Sequence, residues 1–153
     1  MERYKLPDYE LIIQPDALKI MKSFIQNDKK KHESGGILLG QIKDSKIYVQ
    51  NVSTPNKFDK SGRYYFHRDK DAAQIIIDYE FANSCGSVIY LGEWHTHPEA
   101  APSPSTQDMR MIKGQYNSGT LNVPFVLMII QGTCKIFVSY FNGENLITGR
   151  QVL

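Results

Sequence analysis

His95 and His97, two of the chain's four histidines, stand two residues apart in the run Glu93-Trp94-His95-Thr96-His97-Pro98. In an extended segment the side chains at i and i+2 point the same way, so both imidazoles can offer a nitrogen to one point while Thr96 faces away. Pro98, Pro102 and Pro104 then fix φ along the connection, which limits the conformations lost when the chain turns back toward the histidines. Ser105-Thr106-Gln107-Asp108 follows with the signature of a helix start, Ser in the cap position and Asp in the first turn. Asp108 is thereby carried on a rigid element. Two neutral imidazoles and one carboxylate make a three-ligand set for Zn²⁺ with the fourth position open, the composition of a catalytic zinc site.

Each of these residues also has an ordinary structural use. Two histidines at this spacing are, by themselves, common as satisfied strand side chains. Ser105 serves as an N-cap worth about 1 kcal/mol, and its hydroxyl can accept one hydrogen bond while donating another. Asp108 is pulled both toward the cap and toward a metal, and the metal is expected to prevail when bound. Glu33 lies close to Lys29-Lys30-Lys31 and reads equally as a surface ion-pair residue, although Gly35-Gly36 just beyond it allow close approach of a backbone. His32 and His67 are read as structural or solvent-facing and Trp94 as core; nothing singles out Glu93 or Glu99.

The elements that must position these groups follow from periodicity. Residues 9–13 read as a strand, and Pro15-Asp16 open a helix with Leu18, Met21 and Ile25 at core spacing, ending near Lys29-Lys30-Lys31. Residues 35–42 and 46–52 flank Lys43-Asp44-Ser45 as a hairpin. Residues 56–63 are polar, as a loop should be, and Tyr64-Tyr65-Phe66 is a short strand. A second helix spans 69–82 with Ala72, Ile75, Ile76 and Tyr79 facing the core, and Gly86 closes it. The strand 87–94 runs into the histidines. A third helix covers 105–116, and strands at 123–130, 134–141 and 144–152 end the chain, the last two joined by Asn142-Gly143, a strong hairpin signal. The expected fold is α+β: one domain over residues 1–153, a mixed sheet packed by three helices.

Composition agrees with an ordinary globular domain: 153 residues, 41% hydrophobic and 22% charged. A formal net charge of +2 with dispersed basic residues gives no reason to expect nucleic acid as a partner. Neither a signal peptide nor an apolar run long enough to span a membrane is read, which predicts a cytoplasmic protein. Cys85 and Cys134 are far apart and lack metal-site spacing, so both are expected to be buried thiols.

His95-Thr96-His97-Pro98, six residues, Ser105, two residues and Asp108 together resemble the HxHPx6SxxD signature of the JAB1/MPN/Mov34 metalloenzymes, the JAMM isopeptidases. The upstream glutamate of that family is matched by Glu33 in His32-Glu33-Ser34-Gly35-Gly36, at the end of the first helix and entering a strand. The order of helices and strands also looks like a minimal JAMM domain, so the resemblance covers almost the whole chain. It implies that His95, His97 and Asp108 hold Zn²⁺, that Glu33 is the general base and then the acid, and that Ser105 donates to the oxyanion.

JAMM enzymes cut after the Gly-Gly tail of ubiquitin-like modifiers, the tail lying as an added strand, which implies a narrow extended groove. Within the family the chain most resembles the JAB deconjugases of CBASS antiphage operons. These release a cGAS-like nucleotidyltransferase (CD-NTase) that an E1–E2-like fusion has attached through its C-terminal tail. A JAB peptidase that processes a ubiquitin-like sulfur carrier is the alternative, and a silent MPN scaffold is disfavoured because every motif member is present. Linkage-gripping insertions have little room here; the polar stretch 56–65 is the one long connection before the site that could select substrate.

Overall fold

The computed structural model describes residues 1–119 and 121–153. In chain order the elements are β1 (Glu2–Lys5), β2 (Glu10–Ile13), α1 (Pro15–Ser23), β3 (Gly35–Lys43), β4 (Lys46–Val52), β5 (Lys60–Gly62), β6 (Tyr65–His67) and α2 (Lys70–Asn83). They continue with β7 (Ile89–Thr96), α3 (Thr106–Ser118), β8 (Val126–Gln131), β9 (Ile136–Phe141), β10 (Leu146–Thr148) and β11 (Arg150–Gln151). The fold is α+β, with a mixed sheet in the order β10-β9-β8-β7-β3-β4-β2-β1-β11 and a separate ribbon of β5 and β6. The β2–β4 and β7–β8 pairs are parallel and the other pairs antiparallel.

β10 and β11 sit at opposite ends of that strand order yet are joined in sequence by Gly149 alone. The sheet therefore curls until its two edge strands are one residue apart along the chain. The expected strand over 144–152 is thus two strands, and β1 is a strand the sequence reading left out. Its polar exterior, Glu2, Arg3 and Lys5, hides a single buried contact, Tyr4.

One face of the sheet packs on α1. Its core holds Leu11, Ile13, Met21, Leu38, Leu91 and Trp94, with the Phe24 ring 5.9 Å from the Trp94 ring. The opposite face carries α2 over Ile37 and Leu39, and α3 over Val126, Met128 and Ile130. Burial of this kind stabilises by roughly 25 cal/mol per Å² of apolar surface and is the main attraction holding the helices down. The β3–β4 hairpin closes on two residues, Asp44 at φ 51 and Ser45 at φ 62, the mirror-image turn whose twist suits adjoining strands.

Three local expectations are corrected. α1 stops at Ser23, two residues short of Ile25, and Lys29-Lys30-Lys31 lie beyond it in an irregular stretch. Side chains there bond the backbone instead of letting the helix continue: Ser23 Oγ donates to Ile20 O, and Asp28 Oδ1 accepts from Lys30 N. In α2 the inward residues are Ala73, Ile76 and Ile77, whereas Ile75 and Tyr79 are 69% and 67% exposed. The run Ala72-Ala73-Gln74-Ile75-Ile76-Ile77 is apolar on adjacent faces, so spacing alone could not choose between them. Cys85 and Cys134 are exposed rather than buried. Cys85 has φ 55 in the turn after α2, a position set by backbone geometry and not by packing.

Candidate active site

β7 lies between β3 and β8, and both histidines stand at its end. A bulge in the β3–β7 pairing falls between Leu38 and Leu39, opposite Gly92, where a Cβ would meet the Leu127 carbonyl oxygen at 2.1 Å. Only glycine lets β8 come this close. Beyond the bulge Glu93 and His95 share a face, and His97 continues it past the strand end, while Trp94 and Thr96 turn toward α1.

His95 Nε2 and His97 Nε2 are 3.1 Å apart, and both rings are buried. Asp108 meets them from the first turn of α3, with Oδ1 3.1 Å from His95 Nε2 and Oδ2 3.1 Å from His97 Nε2. Ser105 is the N-cap: its Oγ accepts from Asp108 N at 3.1 Å, and its own N donates to Asp108 Oδ2 at 2.8 Å. The expected conflict at Asp108 does not arise, because one carboxylate closes the capping box and faces both imidazoles at once.

Glu33 arrives by register. Gly35 pairs with His95, and Thr96 N donates to Ser34 O at 2.8 Å, so the next step outward sets Glu33 beside His97. Glu33 Oε2 is 3.9 Å from His97 Nε2, and Glu33 N donates to Gly62 O at 2.7 Å. The residue is only 5% exposed, which ends its reading as a surface ion-pair residue. It does not stand at the end of α1: nine residues separate it from Ser23.

The donor set fits a divalent ion of the zinc kind. Nitrogen and oxygen ligands about 2.0 to 2.1 Å from a tetrahedral ion stand about 3.3 Å from one another. The three separations here are each 3.1 Å. Single ligand atoms of Glu33, His95 and His97 also lie within 4.8 Å of one another. Burial would raise the Asp108 carboxyl, but hydrogen bonds from His95 and His97 hold it well below the usual carboxylate range. Burial would lower His97, yet its bond to Asp108 and the nearby Glu33 charge raise it. Glu33 is pushed up to about 8, chiefly by burial.

Two groups that the sequence left unassigned belong to this neighbourhood. Glu99 Oε1 is 2.9 Å from His97 Nδ1, the nitrogen turned away from the cluster. Glu99 lies in a bend beyond the end of β7, where the i, i+2 rule no longer applies, so its nearness in sequence to His97 is the one signal that could have pointed to it. Glu93 is buried against Arg68, whose Nε donates to Oε1 at 2.6 Å and whose Nη2 donates to Gln115 Oε1 at 3.0 Å. Tyr90 also donates its hydroxyl to Glu93. No local pattern marks Arg68, because its partners lie on other elements. Arg68, Glu93 and Gln115 wall a cleft of about 230 Å³ that Tyr65 and Phe66 of β6 and Met111 of α3 also line, beside Asp108 and His95. His32 and His67 are exposed and stand outside the cluster, His32 Nδ1 lying 3.2 Å from Ser61 Oγ.

No helix among the described residues is long and apolar enough to cross a membrane. A solved structure, the protein DSY2949 from Desulfitobacterium hafniense, superposes with a TM-score of 0.64 at 15% identity, covering 90% of this chain and 88% of that one. That likeness concerns the fold alone. In sequence the chain is 29% identical over 131 residues to a protein of Escherichia coli (strain TW11681) named CD-NTase/cGAS isopeptidase, covering 86% of this chain and 81% of the relative. One of the same name from Pseudomonas aeruginosa (strain BWHPSA011 / Pa011) is 34% identical over 92 residues, covering 60% of this chain and 58% of that one. A probable metalloprotease, y4qB, of Sinorhizobium fredii (strain NBRC 101917 / NGR234) is 28% identical over 120 residues, 72% of this chain and 70% of the relative. Residues 19–140 match the family model of prokaryotic homologs of the JAB domain. With that span including Glu33, both histidines, Ser105 and Asp108, the chain belongs to the prokaryotic JAB family.

Proposed function

We propose that this chain is a zinc-dependent isopeptidase that cleaves after the C-terminal tail of a conjugated protein, releasing a cGAS-like nucleotidyltransferase in a CBASS antiphage system. The observation that carries the reading is the convergence of His95, His97, Asp108 and Glu33 on one buried point, from segments far apart in sequence. His95 Nε2, His97 Nε2 and Asp108 would hold the ion. When bound, zinc supplies Lewis acidity, which makes a water acidic and polarises the scissile carbonyl.

The remaining chemistry belongs to the chain. Glu33 is close enough to the cluster to take a proton from the attacking water and pass it to the departing amine, so that amide and water become acid and amine. Ser105 Oγ accepts from Asp108 N and thereby keeps its own proton free for the carbonyl oxygen as negative charge develops there. Glu99 holds the ring of His97 from behind. The cleft between β6, β7 and α3 suits an extended tail. Residues 1–153 act as one domain, in the cytoplasm, on conjugates made by an E1–E2-like enzyme.

The relatives named CD-NTase/cGAS isopeptidase support the choice of substrate. The test incubates the protein with C-terminal fusions of a CD-NTase and, separately, of a ubiquitin-like sulfur carrier, with and without chelator, and reads products by mass. Cleavage after the CD-NTase tail that stops with chelator and returns with zinc is the expected result. Cleavage of the sulfur-carrier fusion alone would replace the substrate, and no cleavage of either would remove the hydrolase.

A further inference from the structure

Glu33 sits in an irregular stretch, 24–34, between α1 and β3. A general base must nonetheless be held to about 0.5 Å for efficient proton transfer. Regular structure reaches it through two backbone bonds, Glu33 N to Gly62 O of β5 and Thr96 N to Ser34 O, and neither holds the stretch on its α1 side.

One buried side chain supplies the rest. Gln26 is 3% exposed and lies in the same irregular stretch. Its Nε2 donates to Lys31 O at 3.2 Å and to Arg63 O at 3.0 Å, and its Oε1 accepts from Thr96 Oγ1 at 2.8 Å. Thr96 Oγ1 in turn accepts from Ser34 N at 3.0 Å. The amide orientation is set by its surroundings, because two carbonyls can only accept and the Thr96 hydroxyl has its own proton free to give. Both amide hydrogens of Gln26, the Thr96 hydroxyl hydrogen and the Ser34 N–H all have partners in this network. It ties together three segments at once: the backbone on either side of Glu33 (Lys31 and Ser34), the end of the ribbon whose Gly62 O takes the Glu33 N–H, and Thr96, the residue between the two histidines.

A polar network of this kind is a costly way to fill a core, since an unpaired buried amide or hydroxyl is destabilising by about 1 to 3 kcal/mol and apolar groups of the same shape are nearly neutral. What it adds is a fixed distance. We propose that Gln26 is a positioning residue for the hydrolysis, acting with Thr96 to hold the Glu33 carboxylate against the histidine cluster. The inference rests on the role of Glu33 given above. It also gives Thr96 a use: facing away from the histidines, it fastens their strand to the loop of the base.

The variants are Gln26→Leu, Thr96→Val, which keeps shape and loses both hydrogen bonds, and Thr96→Ser, which keeps the hydroxyl. In the zinc-loaded enzyme Gln26→Leu and Thr96→Val are expected to lower kcat by at least about ten-fold, as small misplacements of a catalytic group do, with KM and zinc affinity little changed. Thr96→Ser is expected to recover most of the loss seen in Thr96→Val. In the metal-free protein the Ser34 amide should exchange its hydrogen faster in both damaging variants, a readout independent of turnover. Adding Gln26→Leu to Glu33→Ala should slow the residual reaction no further, because Gln26 acts through Glu33. A folded Gln26→Leu or Thr96→Val enzyme with wild-type kcat, or an undiminished effect of Gln26→Leu without Glu33, overturns the inference while leaving the hydrolase standing. If Gln26→Leu does not fold, Thr96→Val carries the same test. A wild-type protein that cleaves nothing removes Glu33's role and this one with it.

Discussion

Glu33 Oε2 and His97 Nε2 stand 3.9 Å apart because of strand register: the β3–β7 pairing Gly35 to His95, continued outward by Ser34 and Thr96, ends on these two residues. Their chemistry is therefore separable from their support. Glu33→Ala removes the proposed proton carrier and none of the three groups at 3.1 Å spacing. The variant should fold and bind zinc as the wild type does while cleaving about 10² to 10⁴ times more slowly, the usual range for loss of a general acid–base. Zinc titration beside single-turnover cleavage checks this, and near-normal turnover would take Glu33 out of the mechanism.

Under the proposed function Glu99 would act on the metal from outside the cluster. With His97 Nε2 turned to Asp108, Nδ1 is left to donate to Glu99 at 2.9 Å. Carboxylates that hold a ligand histidine in this way commonly change metal affinity by about 10- to 100-fold. Half of the Glu99 side chain is in solvent, so the lower end is expected for Glu99→Ala, with Glu99→Gln, which still accepts the bond, closer to the wild type. Competition against a chelator of known affinity measures it; equal affinities for the wild type and Glu99→Ala would reduce Glu99 to a surface residue.

The ionisable groups also give the metal-free protein a characteristic pH response. Asp108 titrates below its ordinary value of 3.8 in the fold, so its contribution is present above that pH and lost as pH falls through its depressed value. His97 is raised above 6.5, so its contribution is present below 6.5 and lost as pH rises through the raised value. Glu33, raised from 4.5 to about 8, favours the fold below 4.5 and loses that contribution as pH climbs to about 8. Chelated protein should therefore melt highest in mildly acid solution and lower at pH 8. Zinc, which takes the place of those protons, should raise Tm most at pH 8. A zinc effect that is the same at acid and alkaline pH contradicts this.

Much of the site was legible because its pieces are local. His95 and His97 lie on one strand end, Ser105 and Asp108 in one helical turn, and short spacings encode both arrangements. The same holds for the cap of α3 and the β3–β4 turn. What escaped was set by tertiary contacts. Arg68 meets Glu93 and Gln115 across two other elements, and Gln26 meets Thr96 across seventy positions of chain. The inward face of α2 was missed for a different reason, since three consecutive isoleucines satisfy more than one face and only the packing on Ile37 and Leu39 decides. β1 escaped because it is short and polar, with Tyr4 its one buried side chain, and β11 because it is two residues long and takes its pairing from β1 at the other end of the chain.

The Arg68–Glu93 pair is the least economical feature beside the cleft. Glu93 is buried, and burial pushes its carboxyl up despite the adjacent guanidinium. Removing one member of such a pair strands the other charge, at a cost of about 3 to 5 kcal/mol, whereas exchanging the whole set for apolar residues is often neutral or stabilising by about 1 to 4 kcal/mol. Arg68→Ala alone should thus lower Tm sharply, while the combined Arg68→Met, Tyr90→Phe, Glu93→Leu variant should melt no lower than the wild type. The combined variant still lacks the Arg68–Gln115 bond that ties the chain after β6 to α3, the helix bearing Asp108. Its cleavage should therefore be slower, although it is as stable. Calorimetry and cleavage rates on the two variants separate stability from geometry: if the apolar variant is stable and cleaves at the wild-type rate, the pair has no part in shaping the cleft.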